Sequence, residues 1–156
     1  ENDLKVDMEG FNKELQKQKQ RSREATEIKA GDWQIINDLP MYGFIGYDNL
    51  SSTAKIIKYR RVQKKKTEIF QLIFDQTPFY PEGGGQIGDK GYIENDEERI
   101  EILNTYKENE LIIHESKKRP KYIERAFKAV VDENKRKNAA NNHTATHLLH
   151  DTLREV

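Results

Sequence analysis

Residues 69–91 read Ile69-Phe70-Gln71-Leu72-Ile73-Phe74-Asp75-Gln76-Thr77-Pro78-Phe79-Tyr80-Pro81-Glu82-Gly83-Gly84-Gly85-Gln86-Ile87-Gly88-Asp89-Lys90-Gly91, and this stretch decides the fold. Side chains alternate across a strand, so Phe70, Leu72 and Phe74 share one face while Ile69 and Ile73 share the other. Apolar residues on both faces predict a strand buried on both sides. Immediately afterwards, five glycines fall in nine positions, 83–91. Glycine supplies positive φ and lets backbone approach closely. Such a loop serves either as a tight β-turn or as an amide-lined turn beside an anionic or ester-bearing ligand. Gln86, an amide donor and acceptor on a loop almost without side chains, favours the second use. Gly84, Gly85 and Gln86 are the candidate binding residues.

Outward from this stretch, apolar residues recur at strand spacing between short polar turns from about residue 30 to 131. Gly91-Tyr92-Ile93, Ile100-Glu101-Ile102-Leu103 and Glu110-Leu111-Ile112-Ile113 are further strands, separated by residues 94–97 and 107–109. A meander of this kind closes economically as a small barrel. Two basic clusters interrupt it: Lys55, Lys58, Arg60, Arg61, Lys64, Lys65 and Lys66, then Lys117, Lys118, Arg119, Lys121, Arg125 and Lys128. Either cluster can meet phosphate, although solvated strands and a hairpin tip are the commoner use of such runs. The acidic stretch from Glu94 to Glu101 offsets their field.

The 156 residues leave room for one domain of ordinary size and a remnant. Lysine and arginine total 27 against 27 acidic residues, which excludes a wholly cationic nucleic-acid coat and confines any such contact to a local patch. Mean hydropathy is −0.97, and no stretch approaches the roughly 20 apolar residues that a membrane helix requires. Cysteine is absent, so disulfides are excluded and a reducing compartment is suited. The sequence opens on Glu1 without a leader pattern. A cytoplasmic, internal piece of a longer protein is the expectation.

Helical patterns flank the β-rich region. At the start, Asp7 reads as a cap, Val6 and Phe11 as a hydrophobic staple, and Met8, Phe11 and Leu15 as an apolar stripe. At the far end, Val131-Asp132 opens a second helical region. At about 100° per residue, Ala145, Leu148, Leu149, Leu153 and Val156 fall on one face, and His143, His147, His150 and Arg154 on the opposite one. Imidazoles four apart point the same way and can converge on one zinc ion, which needs further ligands or water. Metalloprotease chemistry places a glutamate after the first histidine. Thr144 stands there instead, so that chemistry is ruled out. The apolar face expects a partner surface, and oligomerisation through it is one expectation.

Two segments resemble the alanyl-tRNA synthetase family and, more loosely, its freestanding editing relatives. TPFYPEGGGQIGDKG, residues 77–91, is similar to a family signature TPFY-x-x-x-GGQ-x-x-D-x-G, and NHTATHLLH, residues 142–150, to NH-S/T-A-T-HLLH. Val6 to Ala25 resembles the end of the family's helical tRNA-recognition region. The resemblance implies a mainly β fold with flanking helices. Its parts are a helical segment (1–29), a small translation-factor-like β-barrel with the glycine-rich loop (30–131) and the first helix or helices of a truncated α+β editing domain (132–156). It further implies a parent enzyme that joins alanine to its tRNA with ATP and Mg and hydrolyses mischarged seryl- or glycyl-tRNA at a zinc-dependent editing site. His143 and His147 match the first two zinc ligands. Thr146 matches a threonine implicated in recognising the wrong side chain or positioning water, and is the candidate catalytic residue. The tRNA for alanine is the implied partner, with no membrane and no DNA. The fragment alone is expected to bind zinc weakly and to be inactive.

Three other readings stand beside this one. The barrel and its basic clusters suit a non-catalytic tRNA-binding module, and the two signatures also suit a freestanding aminoacyl-tRNA deacylase. The triplet Gly84-Gly85-Gln86 occurs in release factors too, where neither TPFY upstream nor a paired-histidine helix downstream is expected.

Overall fold

A computed structural model describes residues 28–64, 67–139 and 141, together with Gly10, Glu14 and Lys17. The N-terminal staple and stripe, the histidines at 143, 147 and 150, Thr146 and the terminal apolar face all lie outside the described residues. The three isolated N-terminal residues are helical, with Lys17 Nζ 2.6 Å from Glu14 Oε1 one turn away.

The described chain is mainly β. Its strands are β1 (Ile28–Ala30), β2 (Gln34–Ile35), β3 (Gly43–Phe44), β4 (Ser51–Lys64), β5 (Thr67–Phe74), β6 (Gln76–Thr77), β7 (Gly91–Glu94), β8 (Arg99–Ile102), β9 (Asn104–Glu108), β10 (Leu111–Ser116) and β11 (Ala126–Val131). β1 starts two residues before the boundary expected at Ala30. The main sheet runs β8-β7-β11-β4-β5-β10-β9, with β1 and β2 paired to the far reach of β4. All of its pairs are antiparallel. β4 belongs to both halves: its first residues pair with β11 and its later ones with β5. A register shift between Ile56 and Lys58 marks the change, as a bulge bends a strand and strengthens its twist.

The sheet curls around one core but does not close into the expected barrel. β8 and β9 are its two edges, yet they are consecutive in the chain, joined by Leu103 alone. The chain therefore steps from one edge to the other through a single residue, whose N–H donates to the Glu115 carbonyl at 2.8 Å. A covalent corner occupies the place where a closing ladder would run. Inside the curl lie Ala54, Ile56, Tyr59, Leu72, Phe74, Phe79, Ile93, Ile100, Ile102, Ile123, Phe127, Ala129 and Val131. Each large side chain buried there contributes roughly 1.5–3 kcal/mol.

β5 has the two-sided burial expected of it: Leu72 and Ile73, on opposite faces, are both inaccessible. Away from the core, its outer face carries a polar network. Gln71 accepts from Arg60 Nε at 2.6 Å and donates to the Tyr106 hydroxyl at 2.6 Å and to Glu115 at 3.1 Å. Burial, with the nearby Glu115 charge second, pushes the Tyr106 phenol up to about 12. The Asp132 cap forms as the sequence predicts. Lys135 N–H donates to its carboxylate at 3.1 Å, Arg136 N–H to its carbonyl at 2.9 Å, and residues 133–139 are helical. The Lys135 amide is also the chief reason that this carboxyl is held below the ordinary aspartate range.

Candidate functional site: the glycine-rich hairpin and its foot

The run from Thr77 to Gly91 folds as a protruding hairpin with a buried foot. At its entry, β6 pairs in parallel with β3, and Phe79 drops fully into the core. Thr77 is fixed by His114 of β10, which is itself inaccessible to solvent. The His114 Nδ1–H donates to the Leu72 carbonyl at 3.2 Å, so Nε2 is the lone-pair nitrogen and accepts the Thr77 hydroxyl at 2.8 Å. The same Thr77 oxygen accepts the Phe79 N–H at 3.2 Å. Phe74 and Phe79 meet the imidazole edge-on. Desolvation lowers this histidine to about 3, opposed only by its bond to Leu72, so it is neutral and structural.

Asp89 closes the foot. Its carboxylate accepts the Tyr80 N–H at 2.8 Å, while its own N–H donates to the Tyr80 carbonyl at 2.9 Å. The buried charge is matched by Arg136, which donates through Nε at 2.6 Å and through a second, closer contact from its terminal nitrogen. Arg136 also donates to the Gly46 and Pro78 carbonyls at 2.9 and 2.7 Å. One guanidinium thus ties the first turn of the 133–139 helix to the hairpin foot and to the loop after β3. Gly88 is needed here for space: a Cβ would lie 1.8 Å from the Thr105 carbonyl oxygen.

The tip is built differently. Gly83 and Gln86 exchange backbone hydrogen bonds of 3.1 and 2.9 Å, with Gly84 and Gly85 at φ +58° and +84°. Positive φ at both central residues defines the mirror-image two-residue turn that suits a hairpin's twist. The tight β-turn of the two sequence readings is therefore formed. Gly84 and Gly85 N–H groups have no protein acceptor among the described residues, and the turn presents them on an exposed surface. Gln86 is half-buried, and Ile87 beside it is 61% exposed. With Glu82, Tyr106 and Lys107 these residues line an open groove of about 460 Å³.

Gly84, Gly85 and Gln86 are thus brought together. Where Thr146, His143 and His147 sit relative to them falls outside the described residues. Among the described residues, no group of three or more His, Cys, Asp or Glu side chains is placed to hold a metal ion, and no helix is long and apolar enough to cross a membrane. Sequence reasoning missed three residues of the foot. Asp89 stood within the quoted run but gave no sign that it was buried. His114 is isolated in sequence, and Arg136 lies 47 residues from its partner.

The chain belongs to a family of enzymes that charge tRNA: a profile of the tRNA synthetases class II (A) matches residues 1–135. Within that family it is similar, along its whole length, to one segment of alanine–tRNA ligases. Identity is 52% with the enzyme of Christiangramia forsetii, 44% with that of Parabacteroides distasonis and 46% with that of Bacteroides fragilis strain ATCC 25285. In each case all of this chain is covered and 18% of the relative.

Proposed function

We propose that the chain is an internal segment of an alanine–tRNA ligase, joining the end of a tRNA-recognition region to a hydrolytic editing domain. The single observation that carries this reading is 52% identity over the full chain to a protein of that name. The two sequence signatures in matching order support it. In the parent, ATP and Mg serve a catalytic domain elsewhere in the protein, and the partner is the tRNA for alanine. The cytoplasm is its compartment.

The chemistry requires a second site. An alanine pocket does not exclude glycine by size, and one added hydroxyl is rejected only weakly, so accuracy depends on hydrolysing the wrong ester afterwards. His143 and His147 would hold zinc, an acceptor that neutral imidazoles four apart suit; bound there, the metal would supply Lewis-acid polarisation. Thr146 places a hydroxyl one residue before His147, where it would discriminate the mischarged side chain or hold water. The glycine hairpin, with Gly84 and Gly85 amides that find no acceptor among the described residues and with the Gln86 side chain, would lie beside the acceptor end of tRNA.

The test is His147→Ala in the intact protein. Deacylation of seryl-tRNA is expected to fall by about 10²-fold or more, the scale of a lost Lewis acid, while alanine charging stays within about twofold. Loss of both activities together would count against separate sites.

A further inference from the structure

Beyond the hairpin, five cations from four separate chain segments converge on one groove. Lys90 precedes β7, Arg99 opens β8, Lys117 and Lys118 follow β10, and Lys135 lies in the first turn of the 133–139 helix. The first, second, third and last of these line a concavity of about 580 Å³ with Tyr92, Glu101 and Asp132. Arg99, Lys117 and Lys118 line its continuation. Lys90 and Lys135 also border a smaller hollow with Ile87, Gly88 and Asp89. The basic track therefore runs to the foot of the glycine hairpin.

Three features separate these cations from ordinary surface charge. Lys90, Arg99, Lys117 and Lys118 have no carboxylate partner among the described residues, although the chain carries as many acids as bases. Of the two carboxylates in the groove, Asp132 already caps the helix and pairs with Lys135 at 3.0 Å, which leaves Glu101. Finally, the Arg99 guanidinium is stacked on the Tyr92 ring, 3.4 Å from its centroid. Stacking fixes the plane of the fork and leaves its N–H edge free for bidentate contact with phosphate. Lys90 is fixed from behind, since its carbonyl accepts the Asp132 N–H at 2.8 Å.

We propose that this groove is a phosphate-binding track for RNA, with Lys90, Arg99 and Lys117 as its principal contacts, guiding the backbone toward the hairpin. The track rests on the proposed reading of the chain as part of a tRNA-charging enzyme, and extends it to named residues. An RNA backbone fits because its charges repeat along the strand, and these cations are spread over three adjoining hollows that share Arg99 and Lys117 on one side and Lys90 and Lys135 on the other, more than a single small anion would use.

The experiment is a salt titration of a transcript of the tRNA for alanine binding to the 156-residue chain. Wild type is compared with Lys90→Gln/Lys117→Gln and with Lys55→Gln/Lys128→Gln, which removes the same charge from exposed positions on β4 and β11. Each phosphate contact adds about 0.9 to the slope of log K against log salt. The groove variant is expected to lose about 1.5–2 from that slope and at least about tenfold in affinity near 100 mM salt, with the control close to wild type. Equal losses in both variants, or none in the groove variant while wild type binds normally, would overturn the track and leave the family reading standing. Wild type that ignores tRNA but binds vesicles of phosphatidylserine and phosphatidylcholine through Lys90 and Lys117 would overturn the track and undercut the tRNA reading with it.

Discussion

The foot of the glycine-rich hairpin and its tip lie a few residues apart in one sequence signature, yet they answer to different demands. At the foot, Thr77, Phe79, Gly88 and Asp89 are almost fully buried; Thr77, Phe79 and Asp89 are each held by a named hydrogen-bond partner, and Gly88 lies tight against the Thr105 backbone. At the tip, Gly83, Gly84, Gly85 and Ile87 are exposed, and a two-residue turn is all that binds them together. One short string of letters therefore mixes residues that make the fold with residues left free to meet something else. Substitutions separate the two groups by where their effect falls, stability or RNA handling.

The largest stability loss is expected from Gly88→Ala. The new methyl would sit 1.8 Å from the Thr105 carbonyl oxygen, which is backbone and has no rotamer to yield. Relief requires moving β9 or the hairpin foot, and with it the Thr105 hydroxyl bond to the Asp89 carbonyl, 3.0 Å long. A cost of roughly 4 kcal/mol or more is expected, at the severe end for single substitutions, read as a lower urea midpoint for the 156-residue chain. A midpoint shift worth less than about 1 kcal/mol would show that the foot is far softer than its packing implies.

A middle-sized effect belongs to His114 and depends on pH. Its folded-state value of about 3 lies below the ordinary 6.5. Above pH 6.5 both states are neutral and the contribution to stability is complete. As pH falls below 6.5, the unfolded chain takes up a proton that the folded chain refuses, so stability declines by about 1.4 kcal/mol per pH unit until about pH 3. His114→Gln should be less stable at pH 7, where it disturbs the bonds to Thr77 and Leu72, but should show a flatter decline between pH 6.5 and 5. Parallel profiles for the two proteins would mean that water reaches this imidazole.

The basic clusters show the same division between fold and surface, and they also show what a sequence leaves unsaid. The first cluster stands out in the chain, yet much of it is engaged within the sheet. Arg60 meets Glu108 at 2.8 Å, Arg61 meets Glu68 at 2.8 Å, and Lys64 meets Glu115 at 2.7 Å. Glu68 sits across the β4–β5 hairpin, but Glu108 and Glu115 lie on β9 and β10, 48 and 51 residues away, at separations that no local window joins. Conversely, Lys90, Arg99 and Lys135 belong to neither of those two clusters, Arg99 lying within the acidic stretch and Lys135 opening the separate run Lys135-Arg136-Lys137, and they come together only through the curl of the sheet. Strand periodicity made β5, β7, β8 and β10 legible because alternation is a local property. The corner at Leu103, which replaces barrel closure, depends on where two distant edges meet. The Asp132 cap was legible for the same local reason as the strands, whereas the Arg136 clamp that docks its helix was not.

The smallest stability effect, and the sharpest test of the contrast, lies at the tip. Gly84 has φ +58° and no atom near the position of a Cβ, so Gly84→Ala meets only the backbone penalty for a left-handed L-residue, about 1–2 kcal/mol. Gln86→Ala removes a side chain without a hydrogen-bonded partner among the described residues and should stay within about 0.5 kcal/mol of wild type. If the tip serves the acceptor end of tRNA, Gln86→Ala in the intact protein should slow deacylation of seryl-tRNA severalfold at unchanged stability. The foot variant Gly88→Ala should instead lose stability and activity together. A Gln86 variant as active as wild type would make the entire signature a device for folding. The burden of contacting the substrate would then pass from the hairpin to the basic groove beside it.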